Sequence, residues 1–490
     1  MQLASWLAQA TPQFPDQVTT NSLVQNLTYA SGTVGAIMIL AGLLMVDVGG
    51  VRRVNVFAAA IEKMVGFFIG FVVYFLIGFA IWNWQYYDAF GIADPYWQSI
   101  KDWWLGGAFS NDLAQNVDPA ADGGMGAALN NQQIFIFFLA AFAGIVNVLI
   151  HLSVTERMKP AAYYVICVVA AVVSSVLSWL TWGSTGPLTN AGFHDFFGVG
   201  FVYLFPAGMA LVLVRKVGSR PGMYEPHPQV PEYRSSNLGL TTAGVAVIFA
   251  GLPMVILSCL FFYAGEGFEA FAVSVTMADT SVGVAFNNLG LSWAGGALTG
   301  AALAYWKRSY IYLLLGPLGG YVACAVAFDV YKPWQTLLVA MGAPLVCYAV
   351  YEFSQARRWD EHKLTPLFLG AGTYGIIMVG LVSWGTAKGG HFFLTEGDYA
   401  FQNAEINVFW QLIGLVVIVG AGVLTAAILA PILERTTGLR LSEEEQVAGV
   451  DSGDWDLVGD LGYTGGNGVP AASAPASGAP SAVPASPSDT

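Results

Sequence analysis

The sequence predicts an all-α integral membrane protein with eleven transmembrane helices. Of its 490 residues, 56% are hydrophobic and only 10% are charged, whereas soluble domains contain about 25% charged residues. The apolar residues form runs such as "GFFIGFVVYFLIGFAIW", and a bilayer-spanning helix needs about 20 mostly apolar residues in succession. Because the runs are continuous rather than alternating, they favour a helical bundle over a membrane β-barrel.

Eleven apolar runs are predicted to span the bilayer. Backbone polar groups in lipid must hydrogen-bond within their own segment, so each run is predicted to be a helix. The eleven spans are centred near residues 40, 70, 143, 172, 205, 252, 293, 318, 345, 375 and 420.

The basic residues orient the chain, since cytoplasmic loops of membrane proteins are enriched in Lys and Arg. With the N-terminus outside, the outer loops hold Lys101, Lys332 and Lys388, and Lys63 lies within the second span. We therefore predict a multi-pass protein of the cell membrane with an outside N-terminus and a cytoplasmic C-terminus. The other fifteen of the nineteen basic residues fall inside, namely Arg52, Arg53, Arg157, Lys159, Arg215, Lys216, Arg220, Arg234, Lys307, Arg308, Arg357, Arg358, Lys363, Arg435 and Arg440.

Changes in composition divide the chain into four parts. Residues 1–25 are predicted to be a short extracytoplasmic N-terminus, and residues 26–435 the eleven-helix domain. Residues 436–463 form an acidic cytoplasmic tail. Residues 464–490 are rich in Pro, Ala, Ser and Gly and are predicted to be disordered, because such a composition cannot bury enough apolar surface to fold.

Several function classes find no support in the residues. No nucleophile–base pair, metal-ligand cluster or phosphate loop occurs in a plausible context, so we predict no enzyme activity, no cofactor and no metal. The net charge of −13 does not favour nucleic acid as a partner. No histidine or acid lies clearly at the middle of a span, and Glu62 and Lys63, about one turn inside the second span, can pair or snorkel.

Polar and small residues inside the spans are interpreted as packing features. Most of the polar side chains inside the spans are predicted to hydrogen-bond to neighbouring helices, namely those of Asn147, Asn287, Asn288, Ser292, Tyr203 and Tyr374. Glycines four residues apart let helix backbones approach closely. Such pairs occur at Gly296 and Gly300 and again at Gly316 and Gly320.

Five segments, taken in order, resemble the ammonium transporter (Amt/Rh) family over roughly residues 25–452. They read "VDVGGVRRVNV", "AAFAGIVNVLIHLSVTERMKP", "DFFGVGFVYLFPAG", "AFNNLGLSWAGGALTGAALAYW" and "GLRLSEEEQVAGVD". The resemblance implies a homotrimer whose subunits each contain a narrow, apolar pore. It also implies inverted repeats of five helices plus an eleventh helix, and a soluble regulatory partner of the P-II class at the cytoplasmic tail.

The resemblance assigns roles to individual residues. Phe142 and Phe262 match the family's gate phenylalanines, and Trp182 matches the tryptophan of its outer recruitment site. Asp195 matches the aspartate before the fifth span, where a carboxylate caps the helix and complements its dipole. We therefore expect substrate recruitment by Trp182, Phe142, Asp195 and Glu266.

Three positions depart from the family's pattern. Tyr203 and Leu369 stand where the two pore-lining histidines are expected, and Glu266 stands where the recruitment serine is expected. A phenol titrates near pH 10 and a leucine does not titrate, so this pore lining is not expected to exchange protons readily at neutral pH.

Three hypotheses on function follow. The first is an ammonium or ammonia channel with an altered pore, embedded in the lipid bilayer and acting on a small-molecule substrate. The second is a channel of the same fold for another small neutral solute or gas, which accounts better for the missing histidines. The third is a non-conducting sensor or assembly subunit that acts through its cytoplasmic tail.

Overall fold

A computed structural model describes residues 15–104, 125–264 and 270–451 of the chain. Glu266 and residues 464–490 therefore lie outside the described residues, as do the side chains of residues 262–271. The described chain is predominantly helical. Its helices are α1 (Pro15–Gly50), α2 (Arg53–Ala89), α3 (Pro95–Trp104), α4 (Met125–Val154), α5 (Pro160–Thr181), α6 (Gly200–Val217), α7 (Leu238–Ser258), α8 (Val282–Lys307), α9 (Ile311–Ala327), α10 (Pro333–Ala356), α11 (Leu364–Val382), α12 (Val408–Thr436) and α13 (Glu443–Ala448).

Among the described residues, nine helices are long and apolar enough to cross a membrane. They are α1, α2, α4, α5, α6, α7, α10, α11 and α12, and α9 is a shorter apolar helix. The predicted span near residue 293 corresponds to α8, which is 26 residues long. The protein is thus a multi-pass membrane protein, and the count of eleven spans remains a prediction.

Local side-chain chemistry accounts for where several helices begin. The side chains of Asn237, Ser281 and Asn407 each precede a helix and accept a hydrogen bond from a backbone N–H of its first turn, at 3.0, 3.2 and 3.0 Å. These bonds satisfy donors that have no partner within the helix. Pro160 and Pro333 occupy the first position of α5 and α10, where the missing N–H carries no penalty.

Short strands outside the helices depart from the all-helical prediction. β1 (Leu260–Ala264) pairs antiparallel with β2 (Ala270–Ser274), which also pairs with β3 (Asp279–Thr280), and β4 (Ala387–Lys388) pairs with β5 (Ala404–Glu405). Segments between helices still need partners for their backbone groups. Strand pairing provides these partners over residues that are too few to form another helix.

Helices α8 and α9 pack through their glycines, so the predicted close approach of backbones at these glycines is confirmed, and the structure shows that the two helices are each other's partners. A Cβ atom at Gly300 would lie 2.6 Å from the Cα atom of Gly316, and one at Gly296 would collide with the Gly316 carbonyl oxygen. Glycine contacts also bring α1 against α7, since a Cβ atom at Gly35 would lie 2.6 Å from the Gly251 carbonyl oxygen. Backbones can approach this closely only where side chains are absent.

The predicted contacts between helices are present for Asn147 and Asn288, whereas Asn287 is exposed and Ser292 bonds within its own helix, to the Leu289 carbonyl oxygen. Asn147 of α4 donates to the Gly66 carbonyl oxygen of α2 at 2.9 Å. Asn288 of α8 donates to the carbonyl oxygens of Phe328 and Tyr331, each at 2.8 Å, and accepts from Thr336 at 2.9 Å. Each amide thus joins its helix to the backbone of a neighbouring segment.

We expect Gly296→Val to lower the stability of the folded protein by about 3 kcal/mol, because the new side chain would overpack the contact between α8 and α9. Gly290→Val is the matched control on the same helix, since a Cβ atom at Gly290 meets no atom within 4 Å. Thermal unfolding of the two variants in detergent measures the difference. Equal melting temperatures would show that the close approach of α8 and α9 does not stabilise the fold.

Candidate functional site

The beginning of α6 is built around the buried carboxylate of Asp195. This carboxylate accepts hydrogen bonds from the backbone N–H groups of Val199 at 2.9 Å and Gly200 at 2.7 Å. Gly198, which lies between Asp195 and these two residues, has a φ angle of +77°. Glycine adopts this backbone conformation without strain. The predicted capping role of Asp195 is therefore seen in the contacts of this turn.

Glu361 occupies the corresponding position before α11. Its carboxylate accepts from the backbone N–H groups of Leu364 at 2.7 Å and Thr365 at 2.6 Å. Both α6 and α11 begin with a π-helical segment, Gly200–Leu204 and Leu364–Ala371. Two helices thus begin in the same way, each from a buried acid.

Phe142, Trp182 and Phe201 pack together and form what we call the outer aromatic cluster. The Phe142 and Trp182 rings are stacked with centroids 6.1 Å apart, and Trp182 lies 5.3 Å from Phe201. The Trp182 indole donates to the Phe196 carbonyl oxygen at 3.1 Å. All three rings line a small cavity of about 10 Å³, which is about the space of one water molecule. Two predicted recruitment residues, Phe142 and Trp182, are therefore adjacent.

Two further predicted residues cannot be placed in this cluster. Phe262 lies in β1, where its backbone pairs with Ala272, and its side chain lies outside the described residues. Glu266 lies outside them entirely. The roles of Phe262 as a gate and of Glu266 in recruitment therefore remain predictions.

The centre of the bundle contains two tyrosines that bond to each other. The hydroxyl groups of Tyr203 on α6 and Tyr321 on α9 are 2.8 Å apart. The Tyr203 ring stacks on Phe368 of α11, with centroids 4.7 Å apart and an interplanar angle of 21°. We call Tyr203 and Tyr321 the central tyrosine pair. Sequence reasoning identified Tyr203 but not Tyr321, because no local pattern joins residues 118 positions apart.

Phe368, the residue before Leu369, stacks on Tyr203. Leu369 is partly buried and packs against the core, whereas Phe368 also lines the large cavity described below. The prediction placed Leu369 by its position before Gly370 in the motif "PLFLGAGTYG", and Tyr203 by its position eight residues after Asp195. The π-helical segment covers eight residues in α11 but five in α6, so the two helices differ in local geometry at these positions. The role of Leu369 in the pore lining remains a prediction.

A cavity of about 530 Å³, the inner cavity, extends from the central tyrosine pair to a charged end. Apolar side chains of α1, α4, α7 and α9 form its walls, among them Leu43, Leu149, Ile248 and Leu315. Its size is within the range of small-molecule binding sites. The charged end includes Arg157, Arg220, Asp360, Glu361 and Lys363.

Buried ion pairs hold helices together beside the inner cavity. Lys63 of α2 bonds to Asp47 of α1, and Lys63 also lies 2.6 Å from His151 Nδ1 of α4. The other ring nitrogen of His151 lies 2.7 Å from a Glu62 oxygen, and Lys363 forms a second bond to Asp47. Glu62 and Lys63 therefore bind partners on other helices and are buried, rather than snorkelling to the surface.

A second charged group connects the loops at this end. The Arg220 guanidinium binds Asp360 through two bonds of 2.6 and 2.7 Å and Glu156 through one of 2.8 Å. Although burial opposes it, the guanidinium groups of Arg220 and Arg157 hold the pKa of Asp360 well below its usual range. Asp360 is therefore ionised at neutral pH and fixes the loop before α11.

The described part of the acidic tail is docked on this same end. The Asp451 carboxylate accepts from the backbone N–H groups of Phe57 at 3.1 Å and Ala58 at 2.7 Å, in the first turn of α2. Val450 donates to Asn55 at 2.8 Å, and Leu441 donates to the Arg157 carbonyl oxygen at 2.8 Å. The tail thus contacts residues that hold the inner cavity's charged end in place.

A third buried group lies around the residue before Asp195. His194 contacts Asp329 through Nε2 at 3.0 Å and Thr276 through Nδ1 at 3.2 Å. Lys388, which is fully buried, donates to the Phe193 carbonyl oxygen. Burial lowers the pKa of Lys388 to about 7, while the charges of Asp329 and Asp195 oppose this shift. Sequence reasoning counted Lys388 only as a loop charge.

Comparison with known proteins identifies the family. A model described as "Ammonium Transporter Family" matches residues 27–459. The chain belongs to the ammonium transporter family. This membership places it among membrane transport proteins and not among enzymes.

Relatives in the ammonium transporter family share about a quarter of their residues with this chain. "Ammonium transporter Amt2" of Archaeoglobus fulgidus is 24% identical over 438 residues, which cover 84% of this chain and 82% of that protein. "Ammonium transporter 1 member 3" of Solanum lycopersicum is 26% identical over 442 residues, which cover 84% and 87%.

Solved structures of the family share the fold. A structure titled "Sensor Amt Protein" has a TM-score of 0.63 at 17% identity and covers 89% of this chain and 99% of its own. The crystal structure of Candida albicans Mep2 has a TM-score of 0.61 at 16% identity and covers 86% and 87%. At these identities the likeness concerns the fold alone.

We expect the free energy of unfolding of the wild type to increase with pH above 7 by more than that of Lys388→Met. The folded pKa of Lys388 is about 7, whereas an unfolded lysine titrates near 10.4. The unfolded state therefore binds more protons between these values, which contributes up to about 1.4 kcal/mol per pH unit in favour of folding as pH rises. Melting temperatures at pH 7, 8 and 9 test this, with exposed Lys101→Met as the control. Parallel curves for wild type and Lys388→Met would contradict it.

We expect Asp451→Ala to loosen the first turn of α2, because the backbone N–H groups of Phe57 and Ala58 lose their charged acceptor. Loss of a capping side chain costs about 1 kcal/mol, so amide exchange at these positions should become roughly fivefold faster. Hydrogen–deuterium exchange of peptides covering residues 56–60 measures this change. Glu444→Gln, an exposed change in the same tail, should leave the exchange rate unaltered. Unchanged exchange in Asp451→Ala would mean that the tail does not stabilise α2.

Proposed function

We propose that the protein is an ammonium or ammonia channel with an altered pore lining. The adjacency of Trp182 and Phe142, beside the capped start of α6, carries this proposal. Aromatic faces attract cations by about 1 kcal/mol or more, so this pair provides a site where an ammonium ion can bind. The names of the relatives, which are ammonium transporters, support the same substrate.

The residues beyond the outer aromatic cluster favour a neutral permeant. The central tyrosine pair can donate and accept a hydrogen bond, but its hydroxyl groups do not ionise near neutral pH. An unpaired ion at this buried, aromatic position would carry a large desolvation cost. Under this proposal, Glu266 helps to attract the cation to the outer mouth, ammonium releases its proton there to the external water, and ammonia passes the tyrosines.

The proposal includes eleven spans with an outside N-terminus and a cytoplasmic C-terminus. The basic residues that the sequence assigned to the inside lie together at one end of the bundle, among them Arg157, Arg220 and Lys363. The tail docks at the same end, and this agreement supports the proposed orientation. The matching acid caps of α6 and α11 support an inverted repeat of five helices. A homotrimer, and a soluble regulatory partner at the tail, follow from the family and belong to the same proposal.

Two other functions have specific support. The central tyrosine pair, whose hydroxyl groups do not ionise near neutral pH, favours a channel for another small neutral solute or gas. The aromatic contacts between the outer aromatic cluster and the inner cavity favour a non-conducting sensor or assembly subunit, which would act through the docked tail.

Flux measurements decide among these functions. The purified protein is reconstituted in liposomes, and ammonium-driven current and ammonia-driven pH change are recorded against empty liposomes. We expect ammonia movement with little current, because the centre does not accommodate charge. Absence of both signals would rule out the ammonium channel. Movement of another solute would favour a channel for a small neutral solute or gas. A protein that conducts nothing but captures a partner through residues 441–490 would favour the sensor or assembly subunit.

Replacing the central residues tests whether the altered lining limits ammonium transport. Tyr203→His together with Phe368→His would place two imidazoles where two rings now stack, and we expect at least about a tenfold gain in ammonium-driven current, or about 1.4 kcal/mol. Tyr203→His with Leu369→His is the matched control and should gain less, because Phe368 lines the inner cavity and Leu369 is not among its lining residues. Equal gains would favour Leu369 as a pore-lining residue.

A further inference from the structure

The ring of Phe197 lies between the outer aromatic cluster and the central tyrosine pair. Its centroid is 6.1 Å from that of Phe142, 6.4 Å from that of Tyr203 and 5.8 Å from that of Tyr321. Phe142 lines the outer 10 Å³ cavity, whereas Tyr203 and Tyr321 line the inner 530 Å³ cavity. Phe197 therefore contacts wall residues of both cavities, and its side chain is buried.

We propose that Phe197 closes the path between the outer aromatic cluster and the inner cavity and sets the size of the molecule that can pass. This inference rests on the proposed function, since it assumes that the path runs from Phe142 and Trp182 to the central tyrosine pair. It adds a specificity-determining residue that no motif of the sequence identified.

The turn before α6 determines the position of this ring. Asp195 accepts hydrogen bonds from the N–H groups of Val199 and Gly200, and Gly198, immediately after Phe197, has a positive φ angle. Phe201, on the first turn of α6, packs against Trp182. The rings of the two phenylalanines on either side of Gly198 thus lie in different places. Phe201 belongs to the outer aromatic cluster, and Phe197 lies between the two cavities.

The rings around Phe197 favour the passage of neutral molecules over charged ones, so that Phe197 does more than block the path. The ring is parallel to Tyr203, with an interplanar angle of 23°, and meets the edge of Tyr321 at 84°. Aromatic faces attract a cation by only about 1 kcal/mol or more, which does not compensate for the water that a charged molecule would lose at this buried position. Only a small neutral molecule is expected to pass when the ring rotates aside.

Phe197→Ala tests the proposal, with Phe197→Leu as a milder change that preserves folding if alanine does not. Phe193→Ala is the matched control. Phe193 is four residues earlier and fully buried, but its ring packs against Gly414 of α12. Each variant is purified, checked for a monodisperse profile and an unfolding transition, and reconstituted in liposomes. Ammonium-driven flux is recorded together with osmotic water permeability, which reports an open path whatever the natural substrate is.

We expect Phe197→Ala to raise the flux of ammonium, water or both by about tenfold, which corresponds to about 1.4 kcal/mol of barrier. Phe197→Leu should give a smaller rise, and Phe193→Ala should match the wild type. Methylammonium, which is larger than ammonium, should gain more than ammonium does, because the constriction limits size.

The outcomes separate this inference from the proposed function. A gain in water permeability without any ammonium flux would support closure by Phe197 and refute the ammonium channel. Ammonium flux in the wild type that neither Phe197 variant increases would refute closure by Phe197 and support the channel. Folded Phe197 variants that match the wild type with both probes, or a Phe193→Ala gain equal to that of Phe197→Ala, would overturn the inference.

Discussion

The structure depends on one constraint, which is that a polar group removed from water must have a partner inside the protein. The acids that begin α6 and α11 meet this requirement by accepting backbone N–H groups, so each capped helix end provides the compensation that a buried carboxylate needs. Lys63 meets it through Asp47 on another helix. These partners also determine geometry, because every such bond ties the end of one helix to a neighbouring segment. Buried charges that would destabilise the fold without a partner thus help to fix the positions of the helices.

The candidate path changes character along its length. It begins at aromatic rings that can attract a cation, continues past Phe197 to two hydrogen-bonded tyrosines, and opens into a wide cavity whose far end carries charges of both signs. The outer rings are therefore suited to a cation that has lost its water, the charged inner end to ions, and the middle to neutral molecules. In such an arrangement selectivity follows from desolvation at the centre, and it does not require a titratable group there.

The inner end joins the cavity to the tail through a continuous set of contacts. Arg220 binds Asp360 and Glu156, Glu156 also bonds to Asn55, and Asn55 accepts from the backbone of Val450. A change in the position of the tail would therefore act on residues that line the inner cavity. This connection gives a physical basis for regulation through the tail under each of the proposed functions. It is carried by hydrogen bonds and ion pairs rather than by apolar packing, so it should respond to salt and to modification of charge.

The sequence by itself determined the features that depend on neighbouring residues. Continuous apolar runs predicted membrane helices, glycine spacing predicted close approach of helix backbones, and the place of Asp195 before a helix predicted its cap, because each is a property of a short segment. Only the tertiary structure decided which helices and side chains meet across the bundle, such as α8 with α9. Tyr321, Phe197 and Phe368 contact Tyr203 from other parts of the fold. Contacts of this kind depend on how whole helices are positioned, and no local pattern encodes them.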